Sequence, residues 1–237
     1  MKVLVLGAGM MGSAVVFDLA KSDLVESITV ADVDSGRART LSEKMGGLKT
    51  KAAAVDVRSY DDVVELMKDF DVTISVVTLY HNDMLTKAAI EARRHFCDLG
   101  GSDEILKRQK AQGTDAKRAG VVIVPNCGLA PGVANVIAMY GVNKFDRVQS
   151  VKIRVGGLPE YPRPPLNYQL VFSVEGLLME YTERAKVLQA GKVKYVDPLS
   201  EVEPVELPGF DKSLEAFHTS GGASILPELF GGEGGFT

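Results

Sequence analysis

The sequence predicts an α/β unit built on a parallel sheet, followed by a smaller α+β unit. Three observations carry that expectation. Short β-branched runs alternate with helical patterns through the first half of the chain. A glycine-rich turn joins the first run to the first helical pattern. Beyond Asp146 the alternation stops, and proline-rich and hairpin-like segments replace it. Strand–helix alternation implies right-handed βαβ crossovers and a parallel sheet covered on both faces.

Taken in order, "KVLVL" (2–6) leads into a helix near 10–21, and "SITVAD" (27–32) into one near 34–45. "KAAAVDV" (51–57) precedes "DDVVELMKDF", and "DVTISVV" (71–77) precedes "NDMLTKAAIEARR". "HFCDLG" (95–100) precedes a polar helix near 103–119, and "VVIV" (121–124) precedes "PNCGLAPGVANVIA", which opens a further helix. In the second part "RVQSVKIRVGGLP" alternates like a half-buried strand, "PEYPRPP" breaks regular structure, and "FSVEGLLMEY" (172–181) reads as a helix. "RAKVLQAGKVKYV" reads as a hairpin turning about Ala190–Gly191, and "SLEAFHT" as a strand. The expected domains are 1–145 and 146–237. The last stretch, "GGASILPELFGGEGGFT", is read without a closing helix or strand. The second domain is therefore expected to be C-terminally incomplete, either as a flexible terminus or as part of a longer protein.

A chain of 237 residues can bury a sizeable core, and its formal net charge of −4 excludes a general nucleic-acid binder. Two cysteines, Cys97 and Cys127, suit a reducing compartment better than a disulfide framework. The N-terminus superficially resembles a signal peptide, but its glycines have another use, and no other segment could span a membrane. The expectation is a cytoplasmic protein with no nucleic-acid or membrane partner. No Cys/His cluster has zinc spacing, so no metal is expected.

Gly7, Gly9 and Gly12 form G-x-G-x-x-G directly after a strand and at the start of a helix. The three glycines serve a tight turn, close approach of the backbone to a pyrophosphate, and close helix–strand contact. Asp32 ends the second strand, where an acid can hydrogen-bond ribose hydroxyls. Together these features predict a Rossmann domain that binds NAD. Arg37 keeps NADP open, since an arginine after this strand can hold a 2′-phosphate. The cofactor contacts expected are Gly7, Ala8, Gly9, Met10, Met11, Gly12, Asp32 and Val33. Asp56 and Val57, ending the third strand, and Thr78 and Leu79, ending the fourth, complete that set. Asp56 is equally suited to capping the following turn.

The ends of the fifth and sixth strands carry "CDLGG" (97–101) and "NCGLAPG" (126–132). Asp98 is placed to orient or deprotonate a substrate ammonium, or instead to cap the helix near Ser102. Cys127 is a candidate nucleophile, although no histidine base accompanies it: of His81, His95 and His218 only His81 ends a strand. A structural role for both cysteines is therefore preferred. Gly128 and Gly132 are read as a helix start that seats a substrate carboxylate, with Pro131 in the first helical turn. Arg163 is expected to pair with a substrate carboxylate, or else to lie in a plain surface loop. Tyr168 could wall the cleft or donate a proton. Thr219, with Ser220 beside it in "HTSGG", is a further substrate contact or simply part of a turn.

"HFCDLGG", "CGLAPGVAN", "VGGLPEYPRPPLNYQLVFSVEGLLMEYTE" and "LEAFHTSGG" together resemble the saccharopine dehydrogenase/reductase-like family, and within it the lysine 6-dehydrogenase branch. The resemblance implies an NAD(P)-binding Rossmann domain, an α+β substrate and dimerisation domain, and hence a homodimer. It also implies oxidative deamination of the lysine ε-amine, with Asp98, Cys127 and Gly128 bordering the substrate and Thr219 reaching it. Related sequences commonly carry an acid where this chain has Asn126. Two other readings stay open: a saccharopine or carboxyspermidine-type dehydrogenase, and a truncated dinucleotide-binding protein without turnover.

Overall fold

A computed structural model describes residues 1–46, 49–165, 167–210 and 213–231. They fall into two compact units, Met1–Gly128 and Leu129–Thr237.

In the first unit, strands β1 (Lys2–Leu6), β2 (Ser27–Asp32), β3 (Thr50–Ala54), β4 (Val72–Ser75), β5 (His95–Asp98) and β6 (Ile123–Val124) form one sheet. Its order is β3-β2-β1-β4-β5-β6, with every pair parallel. Helices α1 (Met10–Lys21) and α2 (Ser35–Gly46) cover one face, and α3 (Tyr60–Met67) and α4 (Asn82–Ala92) the other. The alternation within "KVLVL" explains how. Val3 and Val5 join Val16, Ala38 and Leu41 on the first face. Leu4 and Leu6 join Val63, Met67, Leu85 and Phe96 on the second. A strand buried on both sides reads as a continuous apolar run, as β1 does. Truncating Leu4, Leu6, Met67 or Leu85 to alanine should cost roughly 2–5 kcal/mol.

The polar helix expected over 103–119 is two helices, α5 (Asp103–Ala111) and α6 (Gly113–Ala119). The break at Gln112 has a local cause. Its side chain donates to the Asp83 carbonyl (3.1 Å) and carboxylate (2.6 Å), and a glycine follows. β3 ends at Ala54, three residues short of the expected stretch.

The second unit contains α7 (Val133–Val142), α8 (Val174–Thr182) and the hairpin β7 (Ala185–Gln189)–β8 (Lys192–Val196). It also holds the antiparallel pair β9 (Glu203–Val205)–β10 (Leu214–Ala216) and a short helix, α9 (Leu226–Phe230). Ala190 and Gly191 turn the hairpin with φ of 50° and 73°, the positive pair that matches strand twist. α7 belongs to this unit because Val142 is buried with Leu226 and Phe230. The compact division thus falls ahead of α7, whereas the sequence reading places its boundary after Phe145.

Two expectations are corrected here. "ILPELF" does form a closing helix, α9, with Pro227 in its first turn, where the missing N–H costs nothing. "RVQSVKIRVGGLP" joins no sheet among the described residues. Its Val148 and Ile153 still pack on the small core, and Lys152 and Arg154 pair with Glu203. The alternation therefore marks a half-buried extended segment without a strand partner. β9 escaped the sequence reading because Pro204 sits inside it, which is tolerable only in a short or edge strand.

Candidate functional site

The first glycine turn lies where the strand order reverses, between β1 and β4, at the carboxyl ends of the strands. Gly7 adopts φ +110° and donates its N–H to the Ala31 carbonyl at 2.8 Å. A Cβ on Gly12 would stand 2.1 Å from the Gly7 oxygen, so only glycine lets α1 approach β1 this closely. A Cβ on Gly9 would meet nothing within 4 Å. Gly9 is also the N-cap of α1 and supplies no side-chain cap, and the first turn carries no acid. Among the described residues no acceptor takes the N–H groups of Met10, Met11 and Gly12. These amides form a positive helix end facing open space, which suits a phosphate.

Asp32 stands behind this turn. One carboxylate oxygen accepts from the Ala8 N–H (2.7 Å) and the other from the Asp34 N–H (2.9 Å). The carboxylate thus fixes the turn to the end of β2 while each oxygen keeps lone-pair capacity for a ribose hydroxyl. Asp34 caps α2, accepting from Gly36 (2.9 Å) and Arg37 (3.1 Å), and its other oxygen lies 3.5 Å from the exposed Arg37 guanidinium. Val33 is 69% exposed at this edge.

Asp56 takes the capping role that the sequence left open. It accepts the Arg58 N–H and pairs with its guanidinium at 2.7–3.1 Å. That hydrogen bonding pulls its carboxyl down to about 2. Val57 packs against the core. Thr78 is the exposed residue preceding a 3-10 turn (Leu79–His81), and Leu79 faces Gly101.

Asp98 is fully buried at the end of β5. Its Oδ1 accepts from Gly100 (2.7 Å) and Asn126 (3.2 Å), and its Oδ2 from Gln109 Nε2 (2.6 Å). The second Gln109 hydrogen points to Thr86 Oγ1 at 2.9 Å. Burial pushes the Asp98 carboxyl up, and these N–H donors oppose the rise. Its bonds are those of a positioning carboxylate that ties loop 98–101 to loop 124–127. It does not cap α5, because Ser102 does, through the Ile105 N–H. Gly100 (φ +74°) could carry no side chain: a Cβ would meet Asn126 Oδ1 at 1.9 Å. Gln109 and Gly100 were missed by the sequence reading. The Gly-Gly pair after a strand was the one signal for the latter.

Cys97, half-buried, and Cys127, exposed, lie at this same edge. The neighbouring Cys97 thiol pulls the Cys127 thiol down, and Cys127 together with burial pushes Cys97 up. The Val124 carbonyl, 3.3 Å from the Cys127 sulfur, favours the protonated thiol and works against the first effect. His95 Nδ1 accepts from the Val122 N–H at 3.0 Å.

In the second unit the start of α7 is closed by its own chain. Gly132, with φ +138°, donates its N–H to Asn135 Oδ1 at 2.7 Å, and the Ala134 N–H goes to the Leu129 carbonyl at 2.8 Å. Asn135 Nδ2 then reaches the carbonyls of Gly222 (3.2 Å) and Ala223 (3.0 Å). The carboxylate seat expected around Gly132 therefore has these two donors already satisfied. Pro131 precedes the N-cap and is not in the first helical turn.

Arg163 is exposed in the loop before α8, and its carbonyl accepts from the Asn167 N–H. Tyr168 lies against Gly157, where a Cβ would come within 2.9 Å of the phenol oxygen. Burial, Tyr181 and Glu180 raise its pKa, so the phenol keeps its proton at neutral pH. Glu180, half-buried and itself raised by burial, is a carboxylate that the sequence reading missed. Thr219 is exposed, while Ser220 beside it is buried and donates to the Met179 carbonyl at 3.0 Å. The "HTSGG" turn is thereby pinned to α8.

A parallel sheet in this order, with an uncapped glycine turn and a carboxylate at its crest, defines a dinucleotide-binding Rossmann unit. Residues 3–124 match the family model described as "Saccharopine dehydrogenase NADP binding domain", and residues 128–228 match "Saccharopine dehydrogenase C-terminal domain". The chain belongs to the saccharopine dehydrogenase family, and its first unit is an NAD(P)-binding domain.

Relatives include carboxyaminopropylagmatine dehydrogenase of Synechocystis, 26% identical over 87% of this chain and 54% of its own length. Saccharopine dehydrogenase [NADP(+), L-glutamate-forming] of Saccharomyces cerevisiae is 27% identical over 88% of this chain and 47% of its own. The chain spans about half the length of these curated relatives. Apo saccharopine dehydrogenase (L-Glu forming) from the same yeast shares the fold, with a TM-score of 0.75 at 22% identity, covering 96% of this chain and 51% of that one. Among the described residues no helix is long and apolar enough to cross a membrane.

Proposed function

We propose that this chain serves an NAD(P)-dependent dehydrogenase that oxidises the carbon bearing an amine nitrogen in an amino-acid substrate. The observation that carries the reading is the open start of α1, with Gly9 clear of neighbours and Asp32 fixed behind it. Met10, Met11 and Gly12 would hold the pyrophosphate through their N–H groups, Asp32 would take the ribose hydroxyls, and the strand ends at Thr78 and Leu79 would border the nicotinamide ribose. When bound, the nicotinamide supplies a hydride acceptor. Asp32 and Asp34 put two carboxylates at the ribose edge, and Arg37 pairs with Asp34, which favours NAD over NADP.

For the substrate, the motifs around Gly156–Glu183 support the lysine ε-amine. One amine then loses a hydride and a proton, and water releases ammonia and leaves an aldehyde. Asp98 would act from within, by holding the Gly100 and Asn126 loops in place. Arg163, Tyr168 and Thr219 are proposed as substrate contacts, as are Cys127 and Gly128. A second reading, a saccharopine or carboxyspermidine-type reaction at a secondary amine, is favoured by the relatives' names, which include carboxynorspermidine synthase of Vibrio cholerae. A homodimer in the cytoplasm is proposed for either.

The test is a turnover screen of L-lysine, saccharopine and carboxyspermidine, each with NAD and NADP, read by reduced-nicotinamide absorbance. Lysine turnover with NAD is the expected result. Turnover with a secondary amine alone moves the protein to the second reading. Binding of the nucleotide with no turnover on any amine would sink both.

A further inference from the structure

We propose that Cys97 and Cys127 are a reversible redox pair, joined by an intramolecular disulfide when the protein meets a hydroperoxide. β5 and β6 are neighbours, and Val124 is the partner of Cys97 in their register. The Cys127 N–H donates to the Asp98 carbonyl at 2.7 Å, so hydrogen bonding between the two segments continues past the end of β6. The Cys127 sulfur folds back to lie 3.3 Å from the Val124 carbonyl, beside the residue that faces Cys97. Each thiol is the largest influence on the other's ionisation, which agrees with this placement.

Exposure assigns the roles. Cys127 is open to solvent and Cys97 is half-buried behind it. The thiolate is the reactive form, and exposed thiols of lowered pKa next to a second thiol are the ones that react and then resolve. The Cys127 thiolate attacks one peroxide oxygen and the O–O bond breaks, leaving Cys127 sulfenic acid and an alkoxide or hydroxide that takes up a proton. The Cys97 thiol then loses its proton and attacks the sulfenic sulfur, and hydroxide leaves as water. Two thiols lose two electrons and the peroxide gains them. A small dithiol reverses the bond by exchange. Neither step depends on the proposed dehydrogenase activity.

The sequence holds two cysteines, so an intramolecular disulfide has one possible pairing. The protein is treated with hydrogen peroxide and followed by thiol titration and intact mass. The expected result is loss of both thiols together with loss of two hydrogens in mass, and recovery of both on adding dithiothreitol. Cys97→Ser should stop at a dimedone-reactive sulfenic acid. Should that variant fail to fold, Cys127→Ser serves instead, with Cys97 expected to stay free under the same treatment. Persistence of both thiols in the wild type overturns the pairing. So does a Cys127 sulfinic acid formed with Cys97 still free, a disulfide between two chains, or oxidation of Cys97 at the wild-type rate in Cys127→Ser.

Discussion

At the start of α1 and at the start of α7 the chain uses glycine in similar contexts, with opposite results. Gly9 caps α1 with no side chain, no acid follows, and the leading amides have no acceptor among the described residues. Gly132 caps α7 three residues before Asn135, which takes up the Gly132 N–H and reaches on to the 222–223 carbonyls. The first turn is left open to an anion. The second spends its donors on holding its own unit together. A glycine-rich helix start thus becomes a ligand site only where the chain does not satisfy it first.

The largest effect should follow from filling the first turn. Gly12→Ala places a Cβ against the Gly7 oxygen and should cost about 3 kcal/mol through overpacking. Thermal unfolding and calorimetric NADH titration should show loss of stability and of binding together. The next effect tests the joint between the loops that follow β5 and β6. Asp98→Asn turns an N–H toward donors it formerly accepted, at about 2 kcal/mol. Urea denaturation should register it, and recovery of stability on a compensating Gln109→Glu change would support the hydrogen-bond account. Gly132→Ala and Asn135→Ala should each cost about 1–2 kcal/mol, the first through strain at φ +138° and the second through the lost cap. Both should leave nucleotide affinity unchanged; a tenfold fall in either would erase the contrast between the two turns.

The smallest effect concerns pH. Asp56 is lowered from 3.8 to about 2 by Arg58, so its contribution is present above 3.8 and is lost as pH falls through about 2. The pair is exposed and its share is small. Comparing melting temperatures of wild type and Arg58→Ala across that window should show the gap closing toward acid.

The first unit was legible because period-2 and helical patterns coincided with the glycine fingerprint, so strand ends at Asp32 and Asp98 fell where expected. The second was less so. Its strands are short, one contains Pro204, and "RVQSVKIRV" alternates without a partner strand. At the site, sequence showed which residues could accept or donate, but not which were already committed. Asp98, Asp56 and Gly132 all carry the expected groups and spend them on hydrogen bonds within the chain. Gln109 and Glu180 were invisible because their roles come from folding distant segments together, with no spacing rule to mark them.

The most direct test of the contrast is NADH titration of Gly9→Val and Gly132→Ala beside wild type, with folding checked by melting. Gly9→Val should melt within about 2 °C of wild type, because a Cβ at this position meets nothing within 4 Å. It should nevertheless bind at least about tenfold more weakly, or about 1.4 kcal/mol. Gly132→Ala should melt lower and bind as wild type does. Full binding by Gly9→Val, or loss of binding in a folded Gly132→Ala, would contradict the assignment of the open turn to the nucleotide.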